Sequence, residues 1–126
     1  MSLDTKKAQM RIMKLIEQVQ LSDLINVADI GAASINETPV YSDLVMDEYG
    51  HLFAFDGDSR QIPALRKLYG DHATVLNHFL ADGDPHTAYI CREDTGMTSL
   101  LKPNQTALAF FNNFSLFGKV VNKERI

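Results

Sequence analysis

Acidic residues close two apolar, strand-like runs in this chain of 126 residues. Leu24-Ile25-Asn26-Val27-Ala28 runs into Asp29-Ile30-Gly31-Ala32-Ala33, and His51-Leu52-Phe53-Ala54-Phe55 runs into Asp56-Gly57-Asp58. An apolar strand entering a glycine turn, followed by a second strand with a terminal carboxylate, is a common way to build an α/β nucleotide site. The glycine lets a ligand approach the backbone, and the second carboxylate accepts hydrogen bonds from a ribose diol. Asp29 and Asp56 lie 27 positions apart, against ~20 in the dinucleotide fingerprint. A strand-terminal Asp can also serve as a helix cap or turn former through local bonds to the backbone. Residue type alone balances the two roles for Asp29 and Asp56. Asp82, in the turn-forming run Ala81-Asp82-Gly83-Asp84-Pro85, reads first as a turn residue and second as a contact for an adenine edge.

Other chemistries find less support. His51, His72, His78 and His86 lack metal-ligand spacing, and neither Ser42 nor Ser99 sits in a Ser-His-Asp context. His51 and His78 alternate with apolar residues and read as groups at a strand surface. Cys91 is the single cysteine, which excludes an internal disulfide and a cysteine zinc cluster and suits a reducing cytoplasm. Phe110, Phe111 and Phe114 trace one helix face with Ala107 and read as core, and Lys123-Glu124-Arg125 reads as a solvated end.

The elements that must position these residues alternate. Asp4 to Val19 has Ile12, Leu15, Ile16 and Val19 at helical spacing, and Ser22-Asp23 breaks it. After the first strand, Ser34 to Glu37 is turn material. Thr38 and Pro39 open a helix running to Glu48. The second strand, His51 to Phe55, is apolar throughout, as expected of a strand covered on both faces. Asp58 and Gln61 resemble a capping box, but Pro63 conflicts with that register, so the next helix starts near Gln61 and ends at Tyr69-Gly70. Ala73 to Leu80 reads as a third strand, and His86 to Cys91 as a fourth, antiparallel to it. Pro103 and Asn104 open a last helix, Gly118 ends it, and Lys119-Val120-Val121 starts a final strand.

Length and composition fit one domain, residues 1–126, with an N-terminal helix over 1–22 and an α/β core over 23–126. Strands alternating with helices imply a Rossmann-like, open, mostly parallel sheet with flanking helices and an antiparallel hairpin. The net charge of −4 and 45% hydrophobic residues give no footprint for nucleic acid. No run approaches the ~20 apolar residues of a membrane span. The expected setting is cytoplasmic, with a small-molecule substrate, no nucleic acid, no membrane, and self-association into a homo-oligomer such as a homodimer through an open sheet edge.

The order Val27-Ala28-Asp29-Ile30-Gly31-Ala32, Phe53-Ala54-Phe55-Asp56 and Leu80-Ala81-Asp82-Gly83-Asp84, followed by Gly96-Met97-Thr98-Ser99-Leu100-Leu101-Lys102-Pro103-Asn104, resembles the FkbM-type S-adenosylmethionine-dependent methyltransferases. The likeness runs from about Leu24 to Ile126. It implies that Asp29, Gly31 and Ala32 match the cofactor turn, Asp56 and Gly57 the ribose-binding strand end, and Asp82 a position near the adenine. The implied activity is methyl transfer from S-adenosylmethionine to a small-molecule or sugar acceptor. Family members carry further glycines where this chain has Ala33, Ser34 and Ile35, so the turn reads as a degenerate cofactor cradle. The family's sheet also has further strands beyond the position of Ile126, which makes the expected fold the front part of a methyltransferase domain. The alternative reading is a non-catalytic module of the same fold.

Overall fold

A computed structural model describes residues 3–19, 23–35, 37–111 and 114–126. Helix α1, Leu3–Val19, leads into strand β1, Ile25–Ile30. Helix α2, Ser42–Met46, and strand β2, Gly50–Phe55, follow; then come helix α3, Ile62–Tyr69, a 3₁₀ turn over Gly70–His72 and strand β3, Ala73–Leu76. Strand β4, Thr87–Cys91, two short helices, α4 (Gln105–Phe110) and α5 (Phe114–Phe117), and strand β5, Val120–Arg125, complete the chain. The architecture is mixed α/β. β1, β2 and β3 form a parallel sheet in that order, and β4 and β5 form a separate antiparallel pair.

Pleating assigns the faces of the parallel sheet. Register pairs Val27 with Leu52 and Asp29 with Ala54, while Leu52 pairs with Ala73. These side chains share one face with Val75. Val45 of α2 and Leu65 and Tyr69 of α3 pack on that face with Leu52, Ala54 and Ala32 to form the core. Both crossover helices therefore cover the same side. Each short parallel connection of one hand returns its helix to the same face. The opposite face carries Ala28, Ile30, Phe53 and Phe55, none fully buried.

Several expectations need correction. β1 extends through Asp29 and Ile30, because Gly31 and Ala32 N–H both donate to Phe55 O, at 2.8 and 3.1 Å, and hold the strand end on β2. β2 is not covered on both faces; burial alternates along it, with Gly50, Leu52 and Ala54 inside. The helix expected from Thr38 and Pro39 shrinks to α2, capped by no side chain at Tyr41. α3 starts at Ile62 with Pro63 in its first turn, where a missing N–H costs nothing. The capping box does not form. Asp58 turns to Arg60 instead, and Gln61 Nε2 donates to Glu93 O at 3.1 Å.

β3 ends at Leu76, four residues short of expectation, and β4 pairs with β5 rather than with β3. The last helix divides into α4 and α5, and Asn104 caps α4 by accepting from Ala107 N–H at 3.1 Å. Phe110, Phe111 and Phe114 are not core: they are 87%, 58% and 49% exposed. They stack on one another edge to face rather than against the sheet. Lys123, Glu124 and Arg125 belong to β5, paired with Tyr89, Ala88 and Thr87. Ser22 and Asn36, part of the expected break and turn, lie outside the described residues. Among the described residues no helix is long and apolar enough to cross a membrane.

Candidate functional site

A cleft of about 260 Å³ opens at the carboxyl ends of β1 and β2, between the parallel sheet and the loop after β4. Ile30, Gly31, Asp56, Gly57, Phe79 and Ser99 are among the residues that line it. In an open parallel sheet this end is where ligands bind, because the strand-to-helix turns there present backbone groups and polar side chains.

The turn after β1 needs its glycine. Gly31 has φ +80°, a left-handed conformation that costs a residue with a Cβ about 1–2 kcal/mol. No atom lies within 4 Å of where a Cβ would stand, so the backbone is open to a close approach. Ala32, next along, is 2% exposed and belongs to the core behind the turn.

Asp56 is 8% exposed and fastens two turns together. Its Oδ2 accepts from Ala33 N–H at 3.0 Å and its Oδ1 from Asp58 N–H at 2.8 Å. Burial pushes its pKa above the ordinary carboxylate range, and the two amide bonds oppose that rise. Each carboxylate oxygen accepts more than one hydrogen bond, so capacity remains toward the cleft. From behind, Asn77 Nδ2 donates to Asp56 O at 2.9 Å and Gly57 O at 3.2 Å. A Cβ on Gly57 would overlap the Phe79 ring. Glycine there is what admits the ring.

Asp58 supports this turn from the other side. It is 5% exposed, and Arg60 meets it from Nε at 2.8 Å and Nη2 at 2.5 Å. Those bonds are the main cause of a pKa held below the ordinary range, with Thr98 contributing a weaker bond. The same Arg60 Nη2 donates to Cys91 O at 2.7 Å. Thr98 Oγ1 accepts from Cys91 N–H at 3.1 Å. Arg60 thus joins the turn after β2 to the end of β4 beside the cleft. Cys91 itself is a buried free thiol whose pKa burial raises, which makes it unreactive.

The residues expected to bind a cofactor separate into three places. Gly31, Asp56 and Gly57 line the cleft. Asp29 and Ala32 lie behind it: Asp29 accepts a short hydrogen bond from the Tyr41 hydroxyl on the helix-covered face. Burial and the neighbouring Asp29 push the Tyr41 pKa well up. Asp82 stands away from the cleft in its exposed turn, accepting from Asp84 N–H at 3.0 Å and pairing with the His86 ring at 2.6 Å. His78 follows β3 rather than lying in it and lines the cleft.

The sequence pattern gives Asp58 only a capping role and Thr98 only a place in a family-like stretch, and it singles out neither Arg60 nor Phe79. Asp58 and Arg60 carried a signal, opposite charges two positions apart directly after the acidic strand end. Phe79 and Thr98 carried none, since only the fold brings them to Gly57 and Asp58. Among the described residues no group of three or more His, Cys, Asp or Glu side chains is placed to hold a metal ion. Comparison with protein families, with curated proteins and with solved structures finds no match to this chain.

Proposed function

We propose that the cleft takes the adenosine end of S-adenosylmethionine, and that the chain is a divergent FkbM-like methyltransferase domain with a small-molecule or sugar acceptor. One observation carries this reading. A buried carboxylate, Asp56, is fixed by two backbone amides beside an open glycine turn, at the carboxyl end of a parallel sheet. On this reading the order β1-β2-β3, with both helices on one face, is one wing of a Rossmann-like sheet. A cytoplasmic setting agrees with the free thiol of Cys91.

The residues present fit the nucleoside half of the cofactor. A ribose diol would donate to Asp56, and Gly31 would let the sugar lie against the backbone. The volume, about 260 Å³, falls just under the ~300 Å³ lower end for ligand pockets, which suits a nucleoside better than a whole cofactor. The methionyl half finds less. Ala33 N–H is taken by Asp56, Ile35 fills part of the cleft wall, and Arg92 is paired with Asp94 at 2.9 Å. When bound, the cofactor would supply an electrophilic methyl carbon, and the chain's part would be to align an acceptor with it.

Diol recognition separates this site from a merely apolar cleft. Adenosine should bind, and 2′,3′-dideoxyadenosine should bind about tenfold more weakly or worse, the worth of one charge-assisted hydrogen bond. Equal affinity for the two nucleosides would remove Asp56 from its assigned role.

A second reading has its own observation. Ile25 N–H donates to Tyr49 O and Gly31 N–H to Phe55 O, so ladder alternation turns the amides of Asn26, Ala28 and Ile30 outward. Ile30, on the same edge, is 67% exposed. Such an edge is a template for a second copy, and self-association without catalysis is the function it favours.

A further inference from the structure

Four of the chain's twelve Lys and Arg residues lie within residues 99–126, with one of its sixteen acidic residues. That stretch therefore carries +3 and the remainder −7. Its cations converge. Lys102 before α4, Lys119 between α5 and β5, and Lys123 on β5 all line a hollow of about 420 Å³, together with Tyr89, Pro103 and Ser115. The register Lys123 to Tyr89 and Arg125 to Thr87 places Arg125 two positions along on the same face. Glu124, paired with Ala88, points to the opposite face.

None of the three lysines joins an ion pair among the described residues, whereas Arg60 and Arg92 pair with Asp58 and Asp94. Lys123 Nζ stands 6.0 Å from the centre of the Tyr89 ring, the outer limit of a cation–π attraction. Three like charges facing one hollow repel each other, and an anion bound among them would relieve that repulsion. An ammonium group is a compact point charge with three donors, suited to a tetrahedral dianion. The Tyr89 ring and Pro103 supply apolar surface for an organic body beside it.

We propose that this hollow binds a small phosphomonoester, its phosphate held by Lys102, Lys119 and Lys123 and its body lying against Tyr89 and Pro103. The hollow shares no lining residue with the cleft at Asp56, so it stands independently of the nucleoside reading.

Amide-resolved NMR titration with phenyl phosphate, phenol and inorganic phosphate tests it. Phenyl phosphate should shift resonances around Tyr89 and Lys123, bind more tightly than inorganic phosphate, and weaken as salt is raised. Phenol should not bind. The triple variant Lys102→Gln/Lys119→Gln/Lys123→Gln, altered only at exposed positions and checked for fold by circular dichroism, should bind at least about tenfold more weakly. Lys67→Gln, on exposed α3 surface, should bind as the wild type does. No binding to the folded wild type, equal binding by the triple variant, or equal binding of phenol would overturn the proposal. So would a single-stranded oligonucleotide that binds more tightly than phenyl phosphate with the same dependence on the lysines.

Discussion

Asp56 and Asp58 sit two positions apart on one buried turn, yet the protein moves their pKa values in opposite directions. Asp58 meets a guanidinium, and its pKa falls chiefly through the Arg60 bonds. Its contribution to stability is therefore complete above the ordinary range of about 4 and is lost as the pH falls through its lower folded value. Asp56 meets amides in a drier place, and burial raises it. Its contribution runs the other way, present in acid and lost as the pH rises through its elevated value. Asp58→Asn should cost about 2 kcal/mol at neutral pH in urea unfolding, the worth of a hydrogen-bonded charge, and much less in acid. A loss independent of pH would contradict the assignment of the ion pair. Gly57→Ala should destabilise by about 1–3 kcal/mol, because the Phe79 ring must move. The same change should cost less in a Phe79→Ala background, which a double-mutant cycle would show. Asp56 was legible because a carboxylate after an apolar strand has few roles. Phe79 was not, since its contact with Gly57 depends on where the chain turns after β3.

Among the elements, those with strong local signals match their expected positions. α1 and α3 follow their apolar spacing, with Pro63 fixing the start of α3. The strands went astray where pairing, not pattern, decides. β4 has the alternation of a hairpin partner, but its partner is β5, across the sequence of α4 and α5. Helical spacing places Phe110, Phe111 and Phe114 together, but it does not say whether anything covers them. The open edge of β1 gives a measurement at this scale. In hydrogen exchange, the amides of Asn26, Ala28 and Ile30 should exchange fast, while those of Gly31 and Ala32, both bonded to Phe55 O, should exchange slowly. Protection of Asn26, Ala28 and Ile30 that grows with protein concentration would favour edge-to-edge pairing. Ile30→Lys should then lower the mass seen by light scattering. A wild type that is monomeric at every concentration would exclude that use of the edge.

At the scale of the whole molecule, two sheets are joined where the chemistry is densest. Arg60 bridges Asp58 at the end of β2 and Cys91 O at the end of β4, and the cleft lies beside that bridge. Charge is divided as well, −7 over residues 1–98 and +3 over residues 99–126, which hold α4, α5 and β5. The division can be counted in the sequence, but the hollow that focuses it comes from the fold. Calorimetric titration with S-adenosylhomocysteine asks whether the cleft at Asp56 takes an adenosyl ligand. The wild type should release or take up heat with a saturable isotherm. Asp56→Asn, checked as folded by circular dichroism, should bind about tenfold more weakly or worse. Folded wild-type protein that gives no heat at millimolar ligand, or an Asp56→Asn variant that binds as tightly as the wild type, would rule out a ribose-binding role for Asp56 in this cleft.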